Sequence, residues 1–263
     1  MSKSLENVIP IQTEVGHIVW HDLLTNNVDR AQRFYAELLG WEYRIEHASD
    51  SVWQPGEADY PLIIANGEAH AGIVSMGTDV LSHWVAYVIV DIVDAVVTKA
   101  MTLGGTIHRT PFNVPGVGRS AMLQDPQGAS ICPYLPAHSY PPPEGTFLWD
   151  ELITDQIESA NIFYQQLFGW QTYDIDSYTV LQCANGHSIA GAIKQQWSIS
   201  RPSVWVPYLA TEDIDVAIAQ AKHLGAKIHV KKTMRPNVGH VALLTDPVGA
   251  LFGLLALKKS GTL

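Results

Sequence analysis

Two short segments of this chain set an indole two positions before a carboxylate: Trp20-His-Asp22 and Trp149-Asp-Glu151. Side chains alternate along a strand, so Trp20 shares a face with Asp22, and Trp149 with Glu151. A lone carboxylate beside an apolar wall can serve as a general base or anchor the donor group of a ligand. The same residues also fit a solvated rim, or a carboxylate capping the turn that follows. Asp22 and Glu151 are thus the candidate catalytic residues. By the same parity His83 and Tyr87 share a face with Val85, and Tyr208 with Val206. Tyrosine joins an apolar body to a polar tip, which suits a site for a flat organic ligand and suits an ordinary core equally well. Trp20, Trp149, Tyr87, Tyr208 and His83 are therefore the candidate ligand-binding residues. If the two carboxylates stand at a concave surface, Asp22→Asn and Glu151→Gln should weaken ligand binding or turnover and leave thermal stability almost unchanged.

Other chemistries find less support. Lys and Arg number 16 against 26 acidic residues, and the formal charge of −10 opposes attraction to phosphate backbones. Nucleic acid is excluded as the expected partner. Cys132 and Cys183 form neither a framework of bridges nor a C-x-x-C metal motif, and read as reduced structural residues. None of the 11 histidines forms an H-x-x-x-H pair on an expected helix or an H-x-H pair on an expected strand. His17 and His21 read as structural residues facing a helix. No apolar run approaches the roughly 20 residues of a membrane span, and Met1 to Pro10 lacks the basic and apolar regions of a signal peptide. A cytoplasmic location is the expectation.

The elements that position these residues come from an internal repeat. Gly16-His-Ile-Val-Trp20 through Phe34-Tyr35 and Leu38-Leu-Gly40-Trp41 recurs, at an offset of 129, as Gly145-Thr-Phe-Leu-Trp149 through Phe163-Tyr164 and Leu167-Phe-Gly169-Trp170. Further on the offset is 121, pairing Trp84 with Trp205, Tyr87 with Tyr208, and Asp125-Pro-Gln-Gly128 with Asp246-Pro-Val-Gly249. The second copy is shorter by eight residues, around Ala48 to Pro61. The copies span 15–135 and 144–257, joined by a proline-rich linker at 136–143 whose stiffness favours one fixed arrangement. Within each copy an alternating strand leads to a helix with apolar residues at helical spacing, which closes at Gly40 or Gly169. Three short strands follow. The series then repeats through a second helix marked by Val93, Val96, Val97 and Ala100, or by Ile214, Ala217, Ile218 and Ala221. The fold class is α+β, with four tandem βαβββ modules. Parity places Trp84 and Trp205 under the helices.

A strand ending in a polar turn, a helix carrying A-x-x-F-Y and closing in L-L-G-W, and a terminal D-P-x-G strand resemble the vicinal-oxygen-chelate superfamily of glyoxalases, bleomycin-resistance proteins and dioxygenases. The chain looks closest to its two-domain glyoxalase-like proteins. The resemblance implies paired domains whose cup-shaped mixed sheets hold a small molecule, and a divalent metal gripped at four points. Carried over one by one, those points fall on Trp20 and Trp149, Gly72 and Gly191, Val85 and Val206, and Cys132 and Gly253. Only Cys132 of these eight can bind a metal. No metal is expected there, and no other cofactor. By analogy with the superfamily's dimers, each cup borrows half its wall from the other copy, which groups Trp20, Gly72, Val206 and Gly253 against Trp149, Gly191, Val85 and Cys132. A monomer that mimics such a dimer, or a weak homodimer, is expected. His70 and His187 fall within reach of a cup mouth, and Arg119 and His240, in two corresponding hairpin loops, could meet an anion. The implied function is an enzyme acting on a small carbonyl or aromatic compound without the usual metal ligands. The alternative is a metal-free protein that binds and sequesters a small molecule.

Overall fold

The computed structural model describes residues 15–48, 58–77, 81–195 and 202–256. The first copy runs β1 (Ile18–Thr25), α1 (Val28–Leu39), β2 (Glu42–Ala48), β3 (Ala58–Ala65) and β4 (Glu68–Ser75). It continues with β5 (His83–Ile89), α2 (Val93–Thr102), β6 (Thr106–Val114), β7 (Gly118–Gln124) and β8 (Ser130–Pro136). The second copy opens with β9 (Phe147–Thr154), α3 (Ile157–Phe168), β10 (Gln171–Ile175), β11 (Tyr178–Gln182) and β12 (Ser188–Lys194). It closes with β13 (Val204–Ala210), α4 (Ile214–His223), β14 (Lys227–Arg235), β15 (Gly239–Thr245) and β16 (Leu251–Ala256). These are four βαβββ modules, as the repeat implies.

The first helix of each copy has a sequence-encoded end. In α1 the Asn27 side chain accepts from Arg30 N at 3.0 Å, and Gly40 terminates the helix at φ 71°, its N–H donating to the Ala36 carbonyl. Gly169 ends α3 in the same way at φ 75°. A left-handed residue costs glycine little, and it satisfies a carbonyl the helix leaves open. The buried stripes, Ala31, Phe34, Tyr35 and Leu38 in α1 and Ala160, Phe163, Tyr164 and Leu167 in α3, recur at helical spacing. Among the described residues, no helix is long and apolar enough to cross a membrane.

Each copy makes one eight-stranded mixed sheet, in the orders β2-β3-β4-β1-β5-β8-β7-β6 and β10-β11-β12-β9-β13-β16-β15-β14. Two antiparallel first strands, β1 with β5 or β9 with β13, form each centre, flanked by parallel partners. This overturns the expectation that a cup borrows half its wall from the other copy. Asp22 pairs with Gly72 on one side and Val85 on the other, and Glu151 pairs with Gly191 and Val206. The second module follows directly on the first in sequence and pairs with it, β5 beside β1 and β13 beside β9. The four mapped positions of a cup are therefore Trp20, Gly72, Val85 and Cys132, or Trp149, Gly191, Val206 and Gly253.

What the copies share is the helical layer. One core joins Phe34, Tyr35, Trp41 and Trp84 of the first copy to Ile214, Ala217, Leu244 and Phe252 of the second. Its counterpart joins Val93, Val97 and Leu123 to Phe163, Tyr164 and Trp205. Trp84 and Trp205 lie fully buried in these layers, and each indole donates to the Phe-Tyr tyrosine of its own copy, Tyr35 at 3.3 Å and Tyr164 at 2.8 Å. Those hydroxyls donate across the seam to the D-P-x-G aspartate of the opposite copy: Tyr35 to Asp246 and Tyr164 to Asp125, both at 2.9 Å. The other oxygen of each aspartate accepts two backbone N–H groups of its own turn. Two further, separate apolar clusters line the cups.

Candidate functional site

The floor of the first cup is a carboxylate surrounded by donors. Asp22, 1% exposed, accepts from the Tyr60 hydroxyl at 2.5 Å and the Trp20 indole at 3.2 Å on one oxygen, and from the Tyr87 hydroxyl at 2.6 Å on the other. Adjacent strands deliver these groups to one point: Trp20 faces Tyr87 across β1 and β5, and Tyr60 enters from β3 over Gly72. The second cup follows a related plan. Tyr208 donates to Glu151 Oε2 at 2.5 Å and Trp149 donates to the Tyr178 hydroxyl at 2.7 Å, while Arg235 forms an ion pair with Oε1 at 2.8 Å.

Burial, and after it the neighbouring Asp22, hold the Tyr60 and Tyr87 phenols well above the usual tyrosine range. Burial and Glu151 do the same to Tyr208 and Tyr178. All four keep their protons at neutral pH and act as donors to their carboxylates. Burial opposes the Arg235 charge, and Glu151 outweighs that effect, leaving the guanidinium more firmly protonated than usual.

The structure thus brings together six of the seven residues singled out from sequence parity. His83 stands apart, at the start of β5, its Nδ1 held by the Leu81 carbonyl at 2.8 Å. Burial lowers its pKa against the pull of that carbonyl, and His108 adds to the lowering. Asp22 and Glu151 do not sit at a concave surface: they are 1% and 0% exposed and hold their neighbours in place. Burial removes the ground on which their amides were expected to spare stability. His21 is structural, as expected, but its partner is the other copy: Nε2 meets both oxygens of Asp150, at 3.0 and 3.2 Å. Arg119 is engaged by Asp94 and Asn113.

Tyr60, Tyr178 and Arg235 escaped the parity argument. The two tyrosines occupy equivalent places on β3 and β11, two residues before the partner of Gly72 or Gly191, so carrying the repeat across its length change would have paired them. Arg235 is the last residue of β14, at one of the two corresponding hairpins, and its charge was the available signal.

The mapped metal positions do not fit a divalent ion. Indole, glycine and valine offer no lone pair to one. Burial and Asp22 raise the Cys132 pKa, so it stands as a protonated thiol rather than a thiolate. The space is also taken. A Cβ at Gly72 or Gly191 would fall on the hydroxyl of Tyr60 or Tyr178, and one at Gly253 on the Tyr208 ring. Tyrosine hydroxyls stand where ligand side chains would otherwise project. Among the described residues, no group of three or more His, Cys, Asp or Glu could hold a metal.

Known proteins agree with this geometry at the level of family. The sequence profile of the glyoxalase-like domain matches residues 18–133. "Putative glyoxylase CFP32" of Mycobacterium bovis is 30% identical over 249 residues, covering 90% of this chain and 93% of that protein. The chain belongs to the glyoxalase-like family. "Anthracycline biosynthesis protein DnrV" of Streptomyces peucetius is 25% identical over 274 residues, covering 93% of this chain and 94% of the relative. The Mn(II)-bound glyoxalase of Novosphingobium aromaticivorans superposes with a TM-score of 0.62 at 15% identity, over 92% of this chain and 82% of that one. The fold is the vicinal-oxygen-chelate fold, and what distinguishes this member is the pair of carboxylate–tyrosine clusters.

Proposed function

We propose that this protein is an enzyme that takes a small carbonyl or aromatic compound into its first cup and moves a proton without a divalent metal. The observation that carries the reading is Asp22 accepting from two phenols at 2.5 and 2.6 Å. Each phenol oxygen keeps a lone pair free for the substrate while its proton points at Asp22. A substrate proton delivered to that lone pair is matched by the phenol proton passing to Asp22. Tyrosine is a relay, never a phenolate, and Asp22 ends with the proton. Trp20 supplies the apolar wall. In the second cup Arg235 occupies one carboxylate oxygen, which suits Glu151 and Tyr208 to binding and orientation rather than to accepting a proton. Relatives named as a glyoxylase and for anthracycline biosynthesis are consistent with a carbonyl or aromatic substrate. The protein works in the cytoplasm, as a monomer whose tandem copies replace a dimer or as a weak homodimer.

A second reading, capture without turnover, draws on one observation: both carboxylates are buried and already bonded to several donors. Proton–deuterium exchange in D2O with chelator present separates the two, using hydroxyacetone and a panel of small ketones and phenols followed by NMR. Exchange by the wild type that Tyr87→Phe and Tyr60→Phe abolish supports the relay. Binding without exchange supports capture, and exchange that needs added metal sinks both.

A further inference from the structure

The seam between the copies is built from reciprocal contacts. Tyr35 of the first copy donates to Asp246 of the second, and their counterparts Tyr164 and Asp125 repeat the bond in the opposite sense. Helix α1 packs on α4 and α3 on α2, and β5 meets its own equivalent, β13. Contacts that recur when the copies are exchanged describe an approximate two-fold axis. A residue touches its own counterpart only where that axis passes between the two.

His21 and Asp150 are such a pair. They are counterparts at the repeat offset of 129, each is 4% exposed, and His21 Nε2 lies 3.0 and 3.2 Å from the two Asp150 oxygens. The His21 ring also stacks on Phe147 of the second copy, with centroids 4.3 Å apart. In a dimer of identical subunits a residue on the axis meets itself. Here the two positions differ, with an imidazole donor on one side and a carboxylate acceptor on the other. Pairing like with like would lose that match. Two second copies would bury two carboxylates face to face, and two first copies would bury two imidazoles that repel once both are protonated. The Tyr-to-Asp bonds make no such distinction, because each copy carries both partners.

We propose that the His21–Asp150 contact is a pairing rule: the seam face of each copy accepts the other copy and rejects its own kind, including the equivalent copy of a second chain. The rule is independent of the proton-relay reading. His21 and Asp150 point to the opposite faces of β1 and β9 from Asp22 and Glu151, their neighbours in sequence.

The test sets like residues against each other at the axis of the full chain. His21→Asp opposes two carboxylates, Asp150→His opposes two imidazoles, and the double exchange of both restores a mixed pair in the reverse sense. The reference is His21→Asn with Asp150→Asn, which leaves nothing to titrate at the axis. His17 and His70, which line the same pocket, and Asp246 titrate in every protein and cancel against that reference. Urea midpoints are read from pH 4.5 to 8.5. A second buried carboxylate holds its proton to higher pH than in the unfolded chain, so His21→Asp should lose ground to the reference as pH rises. Facing imidazoles give up a proton more readily than in the unfolded chain, so Asp150→His should lose ground as pH falls below about 6.5. At pH 6 the double exchange should exceed both single variants. A His21→Asp protein that folds at pH 4.5 and not at pH 7.5 supports the rule equally. Slopes of the same sign in the two single variants, a His21→Asp midpoint level with the reference throughout, or a double exchange no more stable than either single variant would overturn it.

Discussion

Glu151→Gln keeps the shape of the side chain and removes its charge, and the structure makes the consequence calculable. Arg235 is 8% exposed and its counter-charge is Glu151, which is fully buried. Removing one partner of a buried ion pair strands the other charge at a cost of about 3–5 kcal/mol. In a chain of this size 1 kcal/mol moves the melting temperature by about 2–4 °C, so the variant should melt roughly 6–20 °C lower. Asp22→Asn should cost at least the Tyr87 bond to a charged acceptor, about 1.5–3 kcal/mol. The double change Glu151→Leu with Arg235→Met should recover most of the Glu151→Gln loss, because apolar residues of similar volume often replace a buried pair without penalty. Urea denaturation at pH 7.5, with calorimetric melting on the same proteins, reads all three. A Glu151→Gln protein melting within about 1 °C of wild type would refute the buried pair as an energetic unit. A double variant as unstable as the single one would show that charge is not the cause.

Asp246 gives a pH signature, since burial raises its pKa to about 6 against the bonds from Ala250, Tyr35 and Val248. A folded pKa above the unfolded one means that the native state holds the extra proton, so this group's contribution falls as pH rises from about 4 to 6, by up to about 3 kcal/mol. Asp246→Asn should remove that slope from the wild-type profile, and an unchanged slope in urea midpoints would locate it elsewhere. Tyr164→Phe removes a donor from buried Asp125 and an acceptor from Trp205, and should destabilise by about 1–3 kcal/mol while leaving ligand binding in the cups intact. Gly253→Ala forces a methyl group onto the Tyr208 ring and should cost about 1–3 kcal/mol by overpacking, measured by the same denaturation.

Side-chain parity and the repeat carried most of the architecture because both depend on local rules. The stripes of α1 and α3, the glycines that end them and the burial of Trp84 and Trp205 are all periodicities or caps readable within a dozen residues. Parity, however, assigns a face and not a depth. Asp22 reads identically as rim or floor until β4 and β5 are known to flank β1, placing Gly72 on one side, Val85 on the other and Tyr60 above. Which copy completes a cup is likewise a question of partners, and superfamily analogy answered it wrongly. The metal mapping needed only residue identities, so it could not show that tyrosines fill the space beside Gly72, Gly191 and Gly253.

The recognition motifs prove to be one device split between two copies. The Tyr of Phe-Tyr and the Asp of D-P-x-G lie 211 residues apart in one pairing and 39 in the other, yet both form the same bond at the same length. Each aspartate folds its own turn with one oxygen and receives the opposite copy's tyrosine with the other. A residue that closes a local turn can therefore also report that the second copy is in place, and the indole behind each tyrosine extends that link into its own sheet. Because the copies are locked through the helical layer, the faces that bear the carboxylates are left out of the docking. That separation lets the two cups diverge, one whose carboxylate receives two phenols and an indole and one whose carboxylate pairs with an arginine, without disturbing the shared core.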